Sequence, residues 1–182
     1  MNIFSLDSTV MNSLLPNTTV SRNASAISIR PVQQDDIDLI VEMHQRLSQE
    51  SIYKRYHSPR IPTRQEIAQM YALDGKNGHV LVATIPGRQS QIVGMAYYVI
   101  SEQKTAEAAF LVEDNYQGQG IGKRLVKELR REAIRQGICF FDAYVLPSNN
   151  AMIHLLNSIG HLIASRLDYG TREMRVQIGC MA

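Results

Sequence analysis

The sequence predicts one domain of mixed α/β class, and three observations carry that reading. Short alternating or continuous apolar stretches recur along the chain and read as strands. Between them lie segments whose apolar residues fall at helical spacing. A glycine-rich loop, Gln117 to Gly122, joins one of those strands to the longest helix. With 182 residues, 45% of them apolar and 20% charged, the chain suits a single globular domain with a sizeable core.

Residues 1–26 are rich in Ser, Asn and Thr and lack the basic and apolar regions of a secretory signal. They are expected to form a flexible tail ahead of a domain over 27–182. Ile27 to Arg30 alternates and ends at Pro31, as a first strand does. Asp35 and Asp36 place negative charge at a helix N-terminus, and Ile37, Ile40, Val41, His44 and Leu47 follow as one apolar stripe. His44 on that stripe reads as a packed histidine rather than a ligand. Thr63-Arg64-Gln65-Glu66 fits a capping box for a second helix to about Leu73, broken by Gly75, Asn77 and Gly78. Val80 to Ile85 and Gln91 to Ile100 read as a hairpin about Pro86-Gly87, and Thr105 to Val112 as a third apolar strand.

A long helix from about Gly120 to Gln136 carries Ile121, Leu125, Leu129 and Ala133 on one face and stops at Gly137. Ile138 to Leu146 is nearly all apolar, as in a strand covered on both faces, and Pro147 ends it. Ser148 or Asn149 caps a helix through Ile159, which Gly160 ends. Leu162 to Leu167 and Glu173 to Ile178 flank a Tyr169-Gly170 turn as a closing hairpin. The expected order is strand, two helices, three strands, helix, strand, helix, then one or two strands.

Composition excludes some functions. Lys and Arg number 19 against 17 for Asp and Glu, which argues against a strongly basic nucleic-acid surface. No stretch approaches the roughly 20 apolar residues of a membrane span. Cys139 and Cys180 form no metal-ligand or redox spacing; Cys139 reads as a small core residue and Cys180 as part of the tail. Nothing marks an oxidising compartment, so a cytoplasmic location is expected, with no metal.

The chemistry concentrates in the glycine loop. A P-loop needs GxxxxGK followed by Ser or Thr, but here Gly118 lies one residue too close to Gly122-Lys123, and Arg124 replaces the hydroxyl. In a dinucleotide fingerprint the third glycine would come one position later. Gln117, Gly120 and Gly122 fit Q-x-x-G-x-G instead. Such glycines let backbone amides approach a phosphate, and the helix N-terminus adds roughly half a positive charge there. Lys123 and Arg124 supplement it or stand as solvated helix residues. By itself the loop reads equally well as a turn without a ligand.

Its surroundings decide between these. The run Phe110-Leu111-Val112-Glu113-Asp114-Asn115-Tyr116-Gln117-Gly118-Gln119-Gly120-Ile121-Gly122-Lys123-Arg124-Leu125 resembles motif A of the GNAT N-acetyltransferase superfamily. Pro147-Ser148-Asn149-Asn150-Ala151-Met152, running to Ile159-Gly160, resembles its motif B. Ser51-Ile52-Tyr53-Lys54-Arg55-Tyr56 and Ala106-Glu107-Ala108-Ala109-Phe110 are similar to the acetyltransferase domain of bacterial Pat-type protein lysine acetyltransferases. The resemblance implies a mostly antiparallel twisted sheet of six or seven strands flanked by about four helices. It implies acetyl-CoA as co-substrate, its pantetheine lying along Phe110, Leu111 and Val112. Its pyrophosphate would lie on the amides of Gln117, Gly118, Gln119, Gly120, Ile121, Gly122 and Lys123. Asn149 stands along the pantetheine arm or is simply a helix cap. Pat-type enzymes often carry a nucleotide-sensing or synthetase-like partner domain; none fits within this sequence, and regulation by one is not expected.

The implied reaction is acetylation of an amine. A lysine amine, with a pKa of about 10.4, is mostly charged at neutral pH and must lose a proton before attack. Glu107, a lone carboxylate in an apolar strand, is the expected general base, and partial burial would raise its pKa usefully. A solvent-facing carboxylate is the alternative. Glu113 and Asp114 read as exposed turn residues. A main-chain N–H near Val112 would hold the oxyanion. The tyrosine that many members use as general acid aligns with Leu156, and His161 follows the final glycine. Tyr53, Arg55 and Tyr56 line the acceptor side or simply pack. The acceptor is a protein lysine or a small-molecule amine, a non-catalytic acyl-CoA-binding module is the rival, and monomer and dimer stay open.

Overall fold

Alternation in the sequence becomes a seven-stranded sheet in the computed structural model, which describes residues 27–71, 77–85, 87 and 91–180. The expected tail over 1–26, Gly75 and Pro86 lie outside the described residues. The strands are β1 (Ser28–Pro31), β2 (Gly78–Ile85), β3 (Gln91–Glu102), β4 (Thr105–Val112), β5 (Phe140–Val145), β6 (His161–Asp168) and β7 (Thr171–Gln177). Their spatial order is β1-β2-β3-β4-β5-β7-β6, with every pairing antiparallel except β4–β5. That exception builds the site. β4 and β5 pair only through Thr105–Glu107 and Phe140–Asp142, then part and leave a wedge between them.

The described helices are α1 (Ile37–Gln45), α2 (Gln49–Tyr56), α3 (Arg64–Tyr71), α4 (Ile121–Arg135) and α5 (Asn150–Asn157). Helix α4 buries Ile121, Leu125, Val126, Leu129 and Ala133, the predicted stripe plus Val126. Burying a leucine fully contributes about 1.5–3 kcal/mol, so this stripe holds α4 to the β2–β4 face of the sheet. α1 and α3 pack a second core on the opposite face around Ile40, Met43, Ile67 and Met95. The Thr63 capping box forms: Glu66 accepts from the Thr63 amide at 2.7 Å and its hydroxyl at 2.9 Å.

Helix α2 is one element more than the sequence analysis expected. It is short and mostly polar, with only Ser51 and Ile52 buried, so no apolar stripe announces it. Ser48 starts it by accepting from the Ser51 amide at 3.1 Å. The hairpin at Tyr169-Gly170 forms as expected, with φ of 43° and 79°, the left-handed pair that two-residue hairpins favour. α5 ends at Asn157, two residues before the expected Ile159, and Gly160 beyond it makes a close approach: a Cβ there would lie 2.0 Å from the Gln177 carbonyl oxygen, which bars any side chain.

The cysteines correct the sequence reading. Cys139, immediately before β5, and Cys180 form a disulfide, with Cα atoms 5.3 Å apart across 41 residues. Proximity in sequence said nothing of this; the antiparallel β5–β7 pairing folds the end of the chain back onto Cys139. Closing a loop of this length stabilises by about 3–4 kcal/mol on chain entropy. Cys180→Ser should lower Tm by about 6–16 °C. Calorimetry checks this, and an oxidised wild type that melts with the variant refutes it.

Candidate active site

The glycine loop meets α4 in the geometry an anion requires. Gly118 and Gly120 take φ of 72° and 80°, and a Cβ on Gly120 would meet nothing within 4 Å, so the loop backbone faces open space. The first α4 bond runs from the Arg124 amide to the Gly120 carbonyl, which leaves the amides of Ile121, Gly122 and Lys123 without helical acceptors. No acidic residue occupies that first turn. The dipole and the free amides together favour a phosphate.

A cavity of about 350 Å³ opens on this loop and follows the wedge between β4 and β5. Ten of the eleven residues expected to hold the cofactor line it: Phe110, Leu111, Val112, Gln117, Gly118, Gly120, Ile121, Gly122, Lys123 and Asn149. Gln119 does not; its side chain turns back to donate to the Asn115 carbonyl at 3.0 Å. Asn149 takes both readings at once. Its Oδ1 caps α5 by accepting from the Met152 amide at 3.2 Å, and the residue also lines the cavity. A smaller hollow of about 30 Å³ continues deeper between Ala108–Phe110 and Ala143–Val145.

Glu107 stands on the last rung where β4 and β5 still pair, opposite Asp142 on one side and Val99 on the other. It is exposed rather than partly buried as expected, because its face of the sheet is left open near Val99 and Tyr144, which are 37% and 50% exposed. Asp142 is not its equal. Both Asp142 oxygens accept from Arg175, Nε and Nη2 each at 2.7 Å, so that carboxylate is committed. Among the described residues Glu107 makes no hydrogen bond or ion pair.

Asp114 is exposed in a turn as the sequence suggested, whereas Glu113 is not. Glu113 is buried and accepts from Arg46 Nε at 3.0 Å. Asp114 accepts from the Ser48 amide at 2.8 Å and from the hydroxyls of Ser48 and Ser51 at 2.7 Å each. Burial alone raises the Asp114 carboxyl, but these hydrogen bonds outweigh it and hold it below its ordinary value. Gln117 Nε2 completes the brace, donating to Ser51 Oγ at 3.2 Å and to the Val112 carbonyl at 3.0 Å. Helix α2 is thereby tied to the glycine loop. The contacts of Ser48 and Ser51 with Asp114 and Gln117 span more than 60 residues, so no motif signals them.

The same tie brings α2 residues into the site. Ser51, Lys54 and Arg55 line the main cavity, with Tyr116, Met152 and Leu155, none of which was a predicted cofactor contact. Tyr53 is exposed, whereas Tyr56 turns inward. His44 is fully buried, as a packed histidine should be. Burial lowers its pKa, so the ring is neutral; the Ile40 carbonyl at 2.7 Å requires the proton on Nδ1. Nε2 therefore accepts from the Tyr56 hydroxyl at 2.6 Å. Leu156 is fully buried in the core and His161 is exposed at the start of β6, so neither reaches the wedge.

Among the described residues no cluster of three His, Cys, Asp or Glu is placed to hold a metal, and no helix is long and apolar enough to cross a membrane. Comparison with known proteins gives a consistent result. The profile of the Acetyltransferase (GNAT) family matches residues 41–161. Acetyltransferase Pat of Mycolicibacterium smegmatis is 33% identical over 134 residues, covering 72% of this chain and 40% of that protein. The chain thus spans less than half the length of this relative. The crystal structure of the GNAT domain of S. lividans PAT matches with a TM-score of 0.72 and 27% identity, covering 82% of this chain and 89% of that one. The structure of yncA from Salmonella typhimurium with its cofactor acetyl-CoA shares the fold, with a TM-score of 0.69, 24% identity, and 86% and 96% coverage of the two chains.

Proposed function

We infer the reaction from one premise: the chain belongs to the acetyltransferase (GNAT) family and is an acetyltransferase that draws on acetyl-CoA. We propose that the acceptor is the side-chain amine of a protein lysine, attacking the thioester directly with Glu107 as general base. The observation that carries this is the position of Glu107, on the last paired rung of β4 and β5 where the wedge begins. Pantetheine running along Phe110–Val112 would bring its thioester to that end.

The acceptor side favours a protein over a small amine. Glu107, Val99 and Tyr144 form an open face, and the hollow that Tyr144 lines, about 30 Å³, is small for enclosing a polyamine or drug. A side chain presented from a protein surface reaches such a face without being enclosed. Glu107 and Glu173 add negative charge on that face, which suits a lysine ammonium. The cytoplasm, where acetyl-CoA and protein acceptors meet, is the proposed place of action, although the Cys139–Cys180 disulfide is unusual for that reducing compartment.

A thiol-release assay with acetyl-CoA against proteins, peptides and small amines tests this reading. Turnover with lysine-containing proteins is expected; turnover with small amines alone would replace the acceptor class. Tight acetyl-CoA binding without any turnover would favour a regulatory acyl-CoA binder. The brace from α2 is tested separately. Asp114→Ala removes charge-assisted hydrogen bonds worth about 1.5 kcal/mol and should weaken acetyl-CoA about tenfold. An unchanged Kd by calorimetry would detach α2 from cofactor binding.

A further inference from the structure

Arg55 is a cation to which no carboxylate is bonded among the described residues. Its Nη2 donates to the Tyr97 hydroxyl, and its guanidinium lies 4.8 Å from the Tyr56 ring centroid and 5.1 Å from that of Tyr97. Among the described residues it makes no ion pair, and its Nε and Nη1 make no hydrogen bond. Its neighbour Lys54, by contrast, pairs with Glu50 along α2. The two rings and one hydroxyl hold a half-buried charge in place without neutralising it.

Its location says what the charge is for. Arg55 lines both the main cavity and the small hollow, so it sits where the two join, beside Ala108–Phe110. From Val112 back to Ala108 the strand runs about 13 Å away from the glycine loop, which places Arg55 at the thioester end of a cofactor laid along β4. The pyrophosphate is therefore not its partner.

Resting on the acetyl-CoA reading above, we propose that Arg55 is a catalytic residue that holds the departing coenzyme A sulfur as a thiolate. The balance is simple. A lysine ammonium gives one proton to Glu107 and attacks the thioester carbon with the freed electron pair. The C–N bond forms and the C–S bond breaks, and that bond's electron pair leaves on sulfur beside the guanidinium. Glu107 returns its proton to solvent, and the second amine proton ends on the thiolate to give the thiol. A guanidinium stays charged throughout, so it stabilises the thiolate without donating a proton.

The groups facing Arg55 leave this role open. Tyr56 comes from α2, His57 from its C-terminal cap, His44 from α1, Tyr71 from α3 and Tyr97 from β3, and none is a carboxylate; burial and the Arg55 charge both lower the two histidines. Glu107 on β4 acts on Arg55 through space rather than in a bonded pair. Lys54 adds a second positive charge beside the hollow, and Tyr144 lines it from β5.

The test is the titration of the thiol of free coenzyme A bound to the full chain, followed by ultraviolet thiolate absorbance. In the wild-type complex the thiol should lose its proton about one pH unit below free coenzyme A, a tenfold preference for the thiolate. Arg55→Met should restore the free value and Arg55→Lys should keep part of the shift. Turnover in Arg55→Met should fall about 100-fold with acetyl-CoA affinity little changed. No shift in the wild-type complex overturns the proposal whether or not a variant folds, and so does a shift that survives in a folded Arg55→Met. Failure of coenzyme A to bind the wild type is a different result, which removes the acetyl-CoA reading together with this one.

Discussion

Gly120→Trp raises the Kd for acetyl-CoA on the order of 1,000-fold, about 4 kcal/mol. Gly120 lines the cavity beside the free amides of Ile121, Gly122 and Lys123, and a Cβ on it meets nothing within 4 Å, so an indole there has open space to spread over the place a phosphate would take. The φ of 80° adds a backbone cost of about 1–2 kcal/mol for any L-residue. Gly120→Ala separates the two effects, since it carries the same backbone cost and fills almost nothing. Alanine should bind acetyl-CoA within a few fold of wild type while tryptophan does not. Equal affinities for wild type and tryptophan, measured by calorimetry, would move the pyrophosphate off this loop.

Glu107→Gln keeps acetyl-CoA affinity within about twofold and lowers kcat by about 100- to 10,000-fold at neutral pH, the range for loss of a positioned base. The substitution preserves shape and removes only the ability to take a proton. Glu107 is exposed and makes no hydrogen bond among the described residues, so stability should change by less than about 0.5 kcal/mol. Asp142, on the opposite rung, is held by both nitrogens of the Arg175 fork and is a poor substitute. Wild-type turnover in Glu107→Gln would remove it as the base. A parallel loss of cofactor affinity would assign it to binding instead.

Much of the molecule was legible because its signals are local. The α4 stripe, the Thr63 capping box, the Tyr169-Gly170 turn and the strand–loop–helix order around Gln117 each depend on residues a few positions apart. Helix α2 was missed for the opposite reason. Its polar sequence has no stripe of its own, and Ser48 and Ser51 are tied to Asp114 more than 60 residues away. The Cys139–Cys180 bond was missed because pairing across 41 residues depends on how β5 and β7 lie in the sheet.

The sequence by itself determined the mixed α/β class and a candidate site: the glycines at 118, 120 and 122 suit either a bare turn or a loop that presents amides to an anion, and the resemblance of residues 110–125 and 147–160 to motifs A and B favoured the second. Tertiary structure decided what stands around that loop. Only the parting of β4 from β5 after Glu107 and Asp142 opens the wedge, and only the Asp114–Ser51–Gln117 brace brings Arg55 to its far end. The physical reason is range. Backbone conformation answers to neighbours within a turn of helix or a pair of residues, whereas a reaction centre needs charges from strands and helices far apart in the chain.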